Sequence, residues 1–132
     1  MAKVLVVDDE YSIRALFQFV FMDAGHEARA AKDGREALEL LAEFVPDLIL
    51  LDISMPVMTG PQFIEEKRKL AASRPELAGI PYLVLTGESS LNLEKNYALG
   101  RDPDCKAFLP KMTPQESVVS IAEKALREAG RL

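Results

Sequence analysis

The sequence predicts a doubly wound α/β domain built on an open, parallel sheet of five strands. Short apolar runs typical of strands alternate along the chain with longer segments whose apolar residues recur at helical spacing. Such alternation implies parallel βα units with right-handed crossovers and helices on both faces of the sheet. Four of the predicted strands also end in a polar or ionisable residue. In a parallel sheet these ends share one edge, so the residues should converge there.

The first strand and the first helix are separated by a run of acidic residues. Residues 3–7, Lys-Val-Leu-Val-Val, have the pattern of a strand buried on both faces, and Asp8, Asp9 and Glu10 follow it directly. Apolar residues at helical spacing then predict a helix with one wide apolar face. Gly25 is suited to its C-terminal cap. The residues predicted to face the core are Ile13, Leu16, Phe17, Val20, Phe21 and Ala24.

A short and more polar second strand is predicted at about residues 27–31. Asp33 and Glu36 then have the spacing of a capping box, in which two side chains bind backbone N–H groups at the start of a helix. This second helix is predicted to continue to Phe44, and Pro46 ends it. Its predicted apolar face is formed by Ala37, Leu40, Leu41 and Phe44.

The third strand delivers the residue on which the predicted site is centred. Four consecutive branched apolar residues, Leu-Ile-Leu-Leu, predict a strand buried on both faces, and Asp52 follows where it ends. Pro56 forces a loop, after which Thr59 and Gln62 again have capping-box spacing. A third helix is therefore predicted over about residues 60–73. Its inward residues are expected to be Phe63, Ile64, Leu70 and Ala71.

The fourth and fifth strands add a hydroxyl and an ammonium group to the same edge. Residues 82–85 form a strand that ends at Thr86, and residues 106–109 form one that ends at Pro110 and Lys111. The second strand contributes no such residue, which places it at the outside of the sheet. The predicted order is therefore 2-1-3-4-5, that of the flavodoxin-like (βα)5 fold.

Two helices complete the predicted fold. The fourth, over about residues 89–99, is weak because its apolar face is poor, and the polar loop 101–104 follows. For the fifth helix, Thr113 is predicted as the N-cap, Pro114 as the first helical residue and Glu116 as the capping-box partner. Its inward residues are expected to be Val118, Ile121, Ala122, Ala125 and Leu126.

Composition narrows the class of function. At 132 residues the chain is predicted to form one domain, residues 1–132, with a single core. A net charge of -5 and a pI near 4.9 disfavour direct binding of nucleic acid, which requires clustered Lys and Arg. The first strand begins at the N-terminus without room for a signal peptide, and no apolar run is long enough to span a membrane. We expect a cytoplasmic protein without membrane insertion.

The convergent residues predict phosphoryl chemistry. Asp8, Asp9 and Asp52 would repel one another strongly unless a pKa rises or a cation binds. Carboxylate oxygens with open coordination positions favour Mg2+, which is usually completed by waters and phosphate oxygens. Lys111 and Thr86 would supply a positive charge and a hydrogen bond to a phosphoryl group. Asp52, on a rigid strand, is the natural nucleophile and would form an aspartyl phosphate.

Six segments combine into one motif: Val-Leu-Val-Val-Asp8-Asp9-Glu10, Asp33-Gly34-Arg35-Glu36-Ala37-Leu38, Pro46-Asp47-Leu48-Ile49-Leu50-Leu51-Asp52, Met55-Pro56-Val57-Met58-Thr59-Gly60, Leu85-Thr86, and Lys111. In this combination they resemble the receiver domain of two-component response regulators. The resemblance covers essentially the whole chain. Because the chain ends at the predicted fifth helix, we expect a stand-alone signalling switch without an output domain. We do not expect the protein to be an enzyme that acts on a separate substrate. The resemblance implies only self-catalysed phosphoryl acceptance and autodephosphorylation.

The resemblance assigns roles to individual residues. It implies that Asp52 accepts the phosphoryl group from a phosphohistidine of a sensor histidine kinase or a histidine phosphotransfer protein. It implies that Asp8 and Asp9 position Mg2+, with Asp52 and the backbone carbonyl of Ser54 completing the protein ligands.

The remaining implied roles concern signalling and turnover. Thr86 and Lys111 would bind the phosphoryl oxygens, while Thr86 and Phe108 would act as the switch. A downstream target protein would bind the face built from helix 4, strand 5 and helix 5. Ser54 and Glu88 would lie beside the path of the attacking water and tune dephosphorylation.

Two departures from the family pattern occur around the lysine. Met112 follows Lys111 where the family usually has proline, and Pro110 precedes it. Because the residue after Lys111 is not proline, the peptide bond from Lys111 to Met112 should be trans. A cis bond before a non-proline residue costs about 3–4 kcal/mol. The loop before strand 5 is also longer than usual.

Two other functions compete with the phosphoacceptor. A degenerate receiver-like interaction module would not be phosphorylated, but the five polar site residues are all present. An aspartyl-nucleophile phosphatase would need a second Asp two residues after the first, and Ser54 occupies that position. Of the remaining reactive side chains, His26 is expected at the surface and Cys105 is expected to be structural.

Overall fold

The computed structural model describes residues 1–87 and 97–132. Five parallel strands form one sheet in the order β2-β1-β3-β4-β5, which confirms the predicted doubly wound topology. The strands are β1 (Lys3–Val7), β2 (Glu27–Ala31), β3 (Leu48–Leu51), β4 (Tyr82–Thr86) and β5 (Cys105–Pro110). The helices are α1 (Tyr11–Asp23), α2 (Gly34–Leu40), α3 (Gly60–Ala71), α4 (Tyr97–Gly100) and α5 (Gln115–Glu128), with a 3-10 turn at Pro75–Leu77.

Two apolar cores lie on opposite faces of the sheet, which corrects the expected single core, because a sheet covered by helices on both faces divides the buried apolar residues into two layers. Successive strand residues point to opposite faces, so Leu5 and Val7 belong to one core and Val4 and Val6 to the other. The first core is closed by α2 and α3, and the second by α1 and α5. Because β1 and β3 are covered on both sides, their residues form the near-continuous apolar runs seen in the sequence.

Two of the predicted helix N-termini are capped by the predicted side chains. The Asp33 side chain accepts a hydrogen bond from the Glu36 N–H at 2.9 Å and caps α2. Thr59 and Gln62 form the predicted reciprocal capping box at the start of α3. Gly25, with φ of 94°, lies one residue past the C-cap of α1, in the left-handed region that glycine adopts without strain.

The predicted N-cap of α5 is wrong. The helix begins at Gln115 with Pro114 as its N-cap, and no side chain caps it. The Thr113 hydroxyl instead donates a 2.7 Å hydrogen bond to the Pro110 carbonyl oxygen, three residues back. A threonine hydroxyl can bind a nearby carbonyl as readily as a helix N–H, and here it closes the turn that leaves β5. The bond from Lys111 to Met112 is trans, as predicted, since no described peptide bond is cis.

Several element ends and side-chain positions also differ from the predictions. The second helix ends at Leu40 and a turn carries Phe44 into the core, while the third ends at Ala71. Leu16 and Leu70, predicted to face inward, are 40% and 37% exposed, and Ala24 is exposed as well. Helical spacing overestimates the buried arc of a helix that contacts the sheet along a narrow line. Most of the predicted fourth helix lies outside the described residues.

His26 is buried, which corrects its expected surface position. The turn after α1 carries the ring under the start of β1, where Nδ1 accepts a 3.1 Å hydrogen bond from the Ala2 N–H. On the other side, Nε2 lies 2.9 Å from a carboxylate oxygen of Glu123 on α5. His26 therefore joins β1, α1 and α5. None of the helices within residues 1–87 and 97–132 has the length and apolar character needed to cross a membrane.

The longer loop before β5 is fastened to the rest of the fold by one buried carboxylate. Asp102 accepts hydrogen bonds from the Tyr82 hydroxyl at 2.7 Å and from the Asp104 N–H at 3.0 Å, and it pairs with the guanidinium of Arg68 on α3. Next to it, β4 and β5 change register, so that Lys106 is an extra residue in the edge strand. The additional loop residues are thus accommodated at the end of the sheet opposite Asp52.

Candidate functional site

Asp52 lies where β3 ends, and backbone contacts determine its position. Its N–H donates a 2.9 Å hydrogen bond to the Val7 carbonyl oxygen of β1, and the residue is only 3% exposed. The chain then turns back so closely that a Cβ on Gly60 would lie 2.4 Å from the Asp52 carbonyl oxygen. A side chain at residue 60 would therefore displace the strand end that carries Asp52.

Asp8 and Asp9 follow the adjacent strand β1. Asp8 is 2% exposed, its N–H donates to the Ala31 carbonyl oxygen of β2 at 3.1 Å, and its carbonyl oxygen accepts from the Arg14 guanidinium at 2.8 Å. Asp9 is exposed. Carboxylate oxygens of Asp8, Asp9 and Asp52 all lie within 4.8 Å of one another. The predicted convergence of these three acids on one edge is therefore present in the structure.

The hydroxyl and the ammonium group approach Asp52 from β4 and β5. The fully buried Thr86 hydroxyl donates a 3.1 Å hydrogen bond to Asp52 Oδ1, and Lys111 Nζ lies 3.4 Å from Oδ2. Nζ is also 3.3 Å from Asp8 Oδ1. The Lys111 N–H donates to the Thr86 carbonyl oxygen at 2.9 Å, which extends the pairing of β5 with β4 past Pro110. Because β5 is an edge strand, Pro110 is tolerated there.

The contact between Glu10 and Lys111 is a feature of the site that the sequence did not reveal. Glu10 Oε1 lies 2.6 Å from Lys111 Nζ, although the two residues are 101 positions apart in the chain. The acidic run after β1 had placed Glu10 near the edge. Only the fold, however, shows which cation it binds.

Burial and mutual repulsion shift the pKa values of the acids. Burial, followed by the negative charge of Asp8, raises the pKa of Asp52 to about 6, although Lys111 and the Thr86 hydroxyl act in the opposite direction. Burial also raises the pKa of Asp8 above its usual value. For Lys111, burial acts to lower the pKa, but the hydrogen bond with Glu10 and the charges of Asp8 and Asp52 outweigh it and raise the pKa.

The donor atoms and the charge of the site indicate which group it can hold. Carboxylate oxygens of Asp8, Asp9 and Asp52 lie together. Among the described residues, the ammonium group of Lys111 contacts two of these acids and Glu10, so the site carries an excess of negative charge. An oxygen-only donor set with this excess fits a hard divalent cation such as Mg2+. The residues that could hold it are Asp8, Asp9 and Asp52.

The remaining predicted site residues are peripheral or lie outside the described part of the chain. Ser54 is exposed, two residues after Asp52, and its predicted roles stay predictions. Phe108 is partly buried on β5, pairs in register with Val84, and packs against the core closed by α2 and α3. Glu88 lies outside the described residues. Burial raises the pKa of the Cys105 thiol to about 11, which agrees with a structural role.

A model of the response regulator receiver domain matches residues 4–123. The chain belongs to this family. Receiver domains are signalling modules of two-component systems rather than enzymes in the ordinary sense, and the chain is placed in that class. The resemblance seen in the sequence motifs is thereby confirmed.

Individual relatives agree with this placement. The response regulator MprA of Mycolicibacterium vanbaalenii is 33% identical over 125 residues, which cover 95% of this chain and 50% of that protein. The regulatory protein AtoC of Escherichia coli is 36% identical over 80 residues, 61% of this chain and 17% of that protein. The chain thus spans about half or less of the length of these curated relatives.

Solved structures of similar chains include one of comparable length. The chemotaxis response regulator CheY4 of Vibrio cholerae is 34% identical, with a TM-score of 0.80 over 95% of this chain and 98% of that one. A CheY-like receiver domain protein from Methanospirillum hungatei has the same TM-score at 23% identity, which shows the shared fold alone.

Proposed function

We propose that the protein is a phosphoacceptor switch, in which Asp52 receives a phosphoryl group from a phosphohistidine of a partner protein. The observation that carries the proposal is the environment of one carboxylate. Asp52 is buried at a strand end, with the Thr86 hydroxyl on one oxygen, the Lys111 ammonium near the other and Asp8 beside it. A carboxylate held in this way has a defined orientation for attack on phosphorus.

The proposed transfer is a displacement at phosphorus. An oxygen of Asp52 forms the new O–P bond while the N–P bond of the donor breaks, and the electron pair of that bond remains on the imidazole nitrogen. When the other ring nitrogen already carries a proton, the donor leaves as a neutral imidazole. The product is an acyl phosphate, and Lys111 and Thr86 are placed to donate hydrogen bonds to its oxygens.

Mg2+ is the proposed cofactor. Asp8, Asp9 and Asp52 would hold it, together with the Ser54 backbone carbonyl that the family resemblance adds. When bound, the ion offsets the negative charge that accumulates on the phosphoryl oxygens. The chain's own contribution is to hold the three acids together on adjoining strand ends.

The proposed output is a change in protein binding. Movement of Thr86 toward the phosphoryl group would alter the packing of Phe108 on the neighbouring strand, and with it the face of α4, β5 and α5. A sensor histidine kinase or histidine phosphotransfer protein is the proposed donor, and a second protein in the cytoplasm the proposed target. Ser54 and Glu88 are proposed to tune hydrolysis of the acyl phosphate.

Labelling by acetyl phosphate tests the proposal directly. Intact-mass spectrometry should show one added phosphoryl group that requires Mg2+, is absent in Asp52→Asn, and disappears after hydroxylamine treatment. Asp47→Asn is a matched control, because Asp47 lies just before β3 and accepts the Lys3 N–H at 2.8 Å, away from the site. An unlabelled wild-type protein would support the degenerate interaction module instead. Sustained turnover of phosphoester substrates would support the phosphatase.

A further inference from the structure

Glu10 has an acidic side chain that the phosphoryl chemistry proposed above does not use. It occupies the N-cap position of α1, yet its side chain makes no hydrogen bond to the helix. Its backbone N–H donates to Asp8 Oδ1 at 2.9 Å. This hydrogen bond orients the residue without using the Glu10 side chain. The carboxylate is therefore available for another partner, and that partner is Lys111.

Among the described residues, Glu10 makes the closest contact with the ammonium group. Lys111 Nζ is 2.6 Å from Glu10, against 3.3 Å from Asp8 and 3.4 Å from Asp52. An ammonium group has three protons, and three carboxylates surround this one. The shortest of these charge-assisted hydrogen bonds is with the acid that does not belong to the proposed metal site.

The three acids that contact the ammonium group differ in their exposure to solvent. The side chains of Asp8 and Asp52 are each 3% exposed, that of Lys111 is 16% exposed, and that of Glu10 is 54% exposed. Glu10 thus binds the ammonium group from the solvent side. A donor protein must approach Asp52 from solvent. The incoming phosphoryl group therefore meets a Lys111 ammonium group that Glu10 already binds.

We propose that Glu10 is a positioning residue that competes with the phosphoryl group for Lys111. The inference rests on the proposed function, since it assigns a regulating contact to the same site. A phosphoryl group carries more negative charge than a carboxylate and offers three acceptor oxygens. Lys111 must give up or share its contact with Glu10 to bind it, so the Glu10 contact favours the unphosphorylated arrangement.

Beryllofluoride, used with Mg2+ as a phosphoryl mimic, tests this competition. Glu10→Gln should bind it about three-fold or more tightly than wild type, in line with loss of a partly exposed ion pair. Glu10→Asp retains the charge but has a shorter reach, so it should also gain affinity, by a smaller factor. Glu116→Gln removes an exposed acid from the first turn of α5 and is the control for net charge.

The same variants in a Lys111→Ala background separate competition for the lysine from direct repulsion. Without the ammonium group, Glu10→Gln should change the affinity less than two-fold. The amide signals of Lys111 and Met112 should also shift in Glu10→Gln before any mimic is added, which reports the contact independently of binding. Circular dichroism confirms that each variant is folded.

Several results would overturn the inference. One is an affinity of Glu10→Gln for beryllofluoride that equals or falls below that of wild type. Another is a wild-type affinity in Glu10→Asp. The third is an affinity gain from Glu10→Gln that persists undiminished in the Lys111→Ala background. Failure of the proposed function would give a different result. Wild type and all variants would then bind no beryllofluoride. That result would remove both proposals together.

Discussion

The Tyr82 hydroxyl donates a 2.7 Å hydrogen bond to the Asp102 carboxylate, beneath the bulged end of β5. Burial acts to raise the pKa of Asp102. The hydrogen bonds from Tyr82, the Asp104 N–H and Arg68 outweigh it, so the pKa lies below its usual value. Burial raises the pKa of Tyr82, which keeps its hydroxyl protonated and able to donate.

This network should contribute stability that depends on pH. For an acid whose pKa is lower in the folded state, the stabilisation is present above the unfolded-state pKa of about 3.9 and is lost as pH falls through the folded value. Asp102→Asn should therefore lower the free energy of unfolding at pH 7 and flatten its decline below pH 4. Urea unfolding at pH 3, 4, 5 and 7 measures both effects. Parallel pH profiles for mutant and wild type would contradict the prediction.

Asp52→Asn should stabilise the protein in the presence of EDTA. Here the folded pKa is raised to about 6, so stability is highest below the unfolded-state value and is lost as pH rises through the folded value. Removing the charge should add about 1–3 kcal/mol at pH 7.5 and little at pH 4. Thermal unfolding at the two pH values gives the comparison. A variant less stable than wild type at pH 7.5 would show that the Asp52 charge is compensated.

Mg2+ affinity should depend on Asp9 more than on Glu10. Asp9 has a carboxylate oxygen within 4.8 Å of those of Asp8 and Asp52, whereas the Glu10 carboxylate binds Lys111. Asp9→Ala should therefore weaken Mg2+ binding about ten-fold or more, as is typical when a carboxylate is removed from such a site. Glu10→Ala should leave the affinity within about two-fold of wild type. Calorimetric titration of both variants decides this, and equal losses would count against the proposed ligand set.

Lys111→Ala should separate phosphoryl binding from the response on β5. Lys111 is the cation that would draw the turn after β5 toward the phosphoryl group, and its N–H is already bonded to the Thr86 carbonyl oxygen. We expect amide shifts near Asp52 on addition of beryllofluoride, but reduced shifts at Phe108. NMR of mutant and wild type with and without the mimic measures both. Shifts of wild-type size at Phe108 in the mutant would show that another residue makes the link.

Val57→Asn should stabilise the fold. Val57 lies in the loop between Asp52 and α3, with φ of 68° and 73% of its surface exposed. A β-branched residue in this left-handed region is strained by about 1–2 kcal/mol, and asparagine tolerates the conformation better. Urea unfolding should show a gain of about 1 kcal/mol for Val57→Asn and a smaller one for Val57→Ala. A loss of stability would mean that the valine side chain makes a favourable contact.

Local chemistry explains why so much of the fold was predictable. Strands buried on both faces, such as β1 and β3, require uninterrupted apolar runs, and capping boxes such as that of Thr59 and Gln62 bind only neighbouring backbone. Parallel strands also place their C-terminal ends on one edge. The meeting of Asp8, Asp9, Asp52, Thr86 and Lys111 therefore followed from the parallel arrangement of the strands.

Only the tertiary structure decided the side-chain contacts between residues far apart in the chain. The pairing of Glu10 with Lys111, of His26 with Glu123 and of Tyr82 with Asp102 joins different elements, and no local spacing encodes them. Thr113 shows the same limit at short range, because its hydroxyl had two acceptable partners and the path of the chain after β5 selected the Pro110 carbonyl. The sequence by itself determined which residues reach the C-terminal edge of the sheet, because backbone hydrogen bonding and apolar burial are local or periodic. The packing of distant elements determined which partner each side chain binds there, since that depends on distances that exist only in the folded chain.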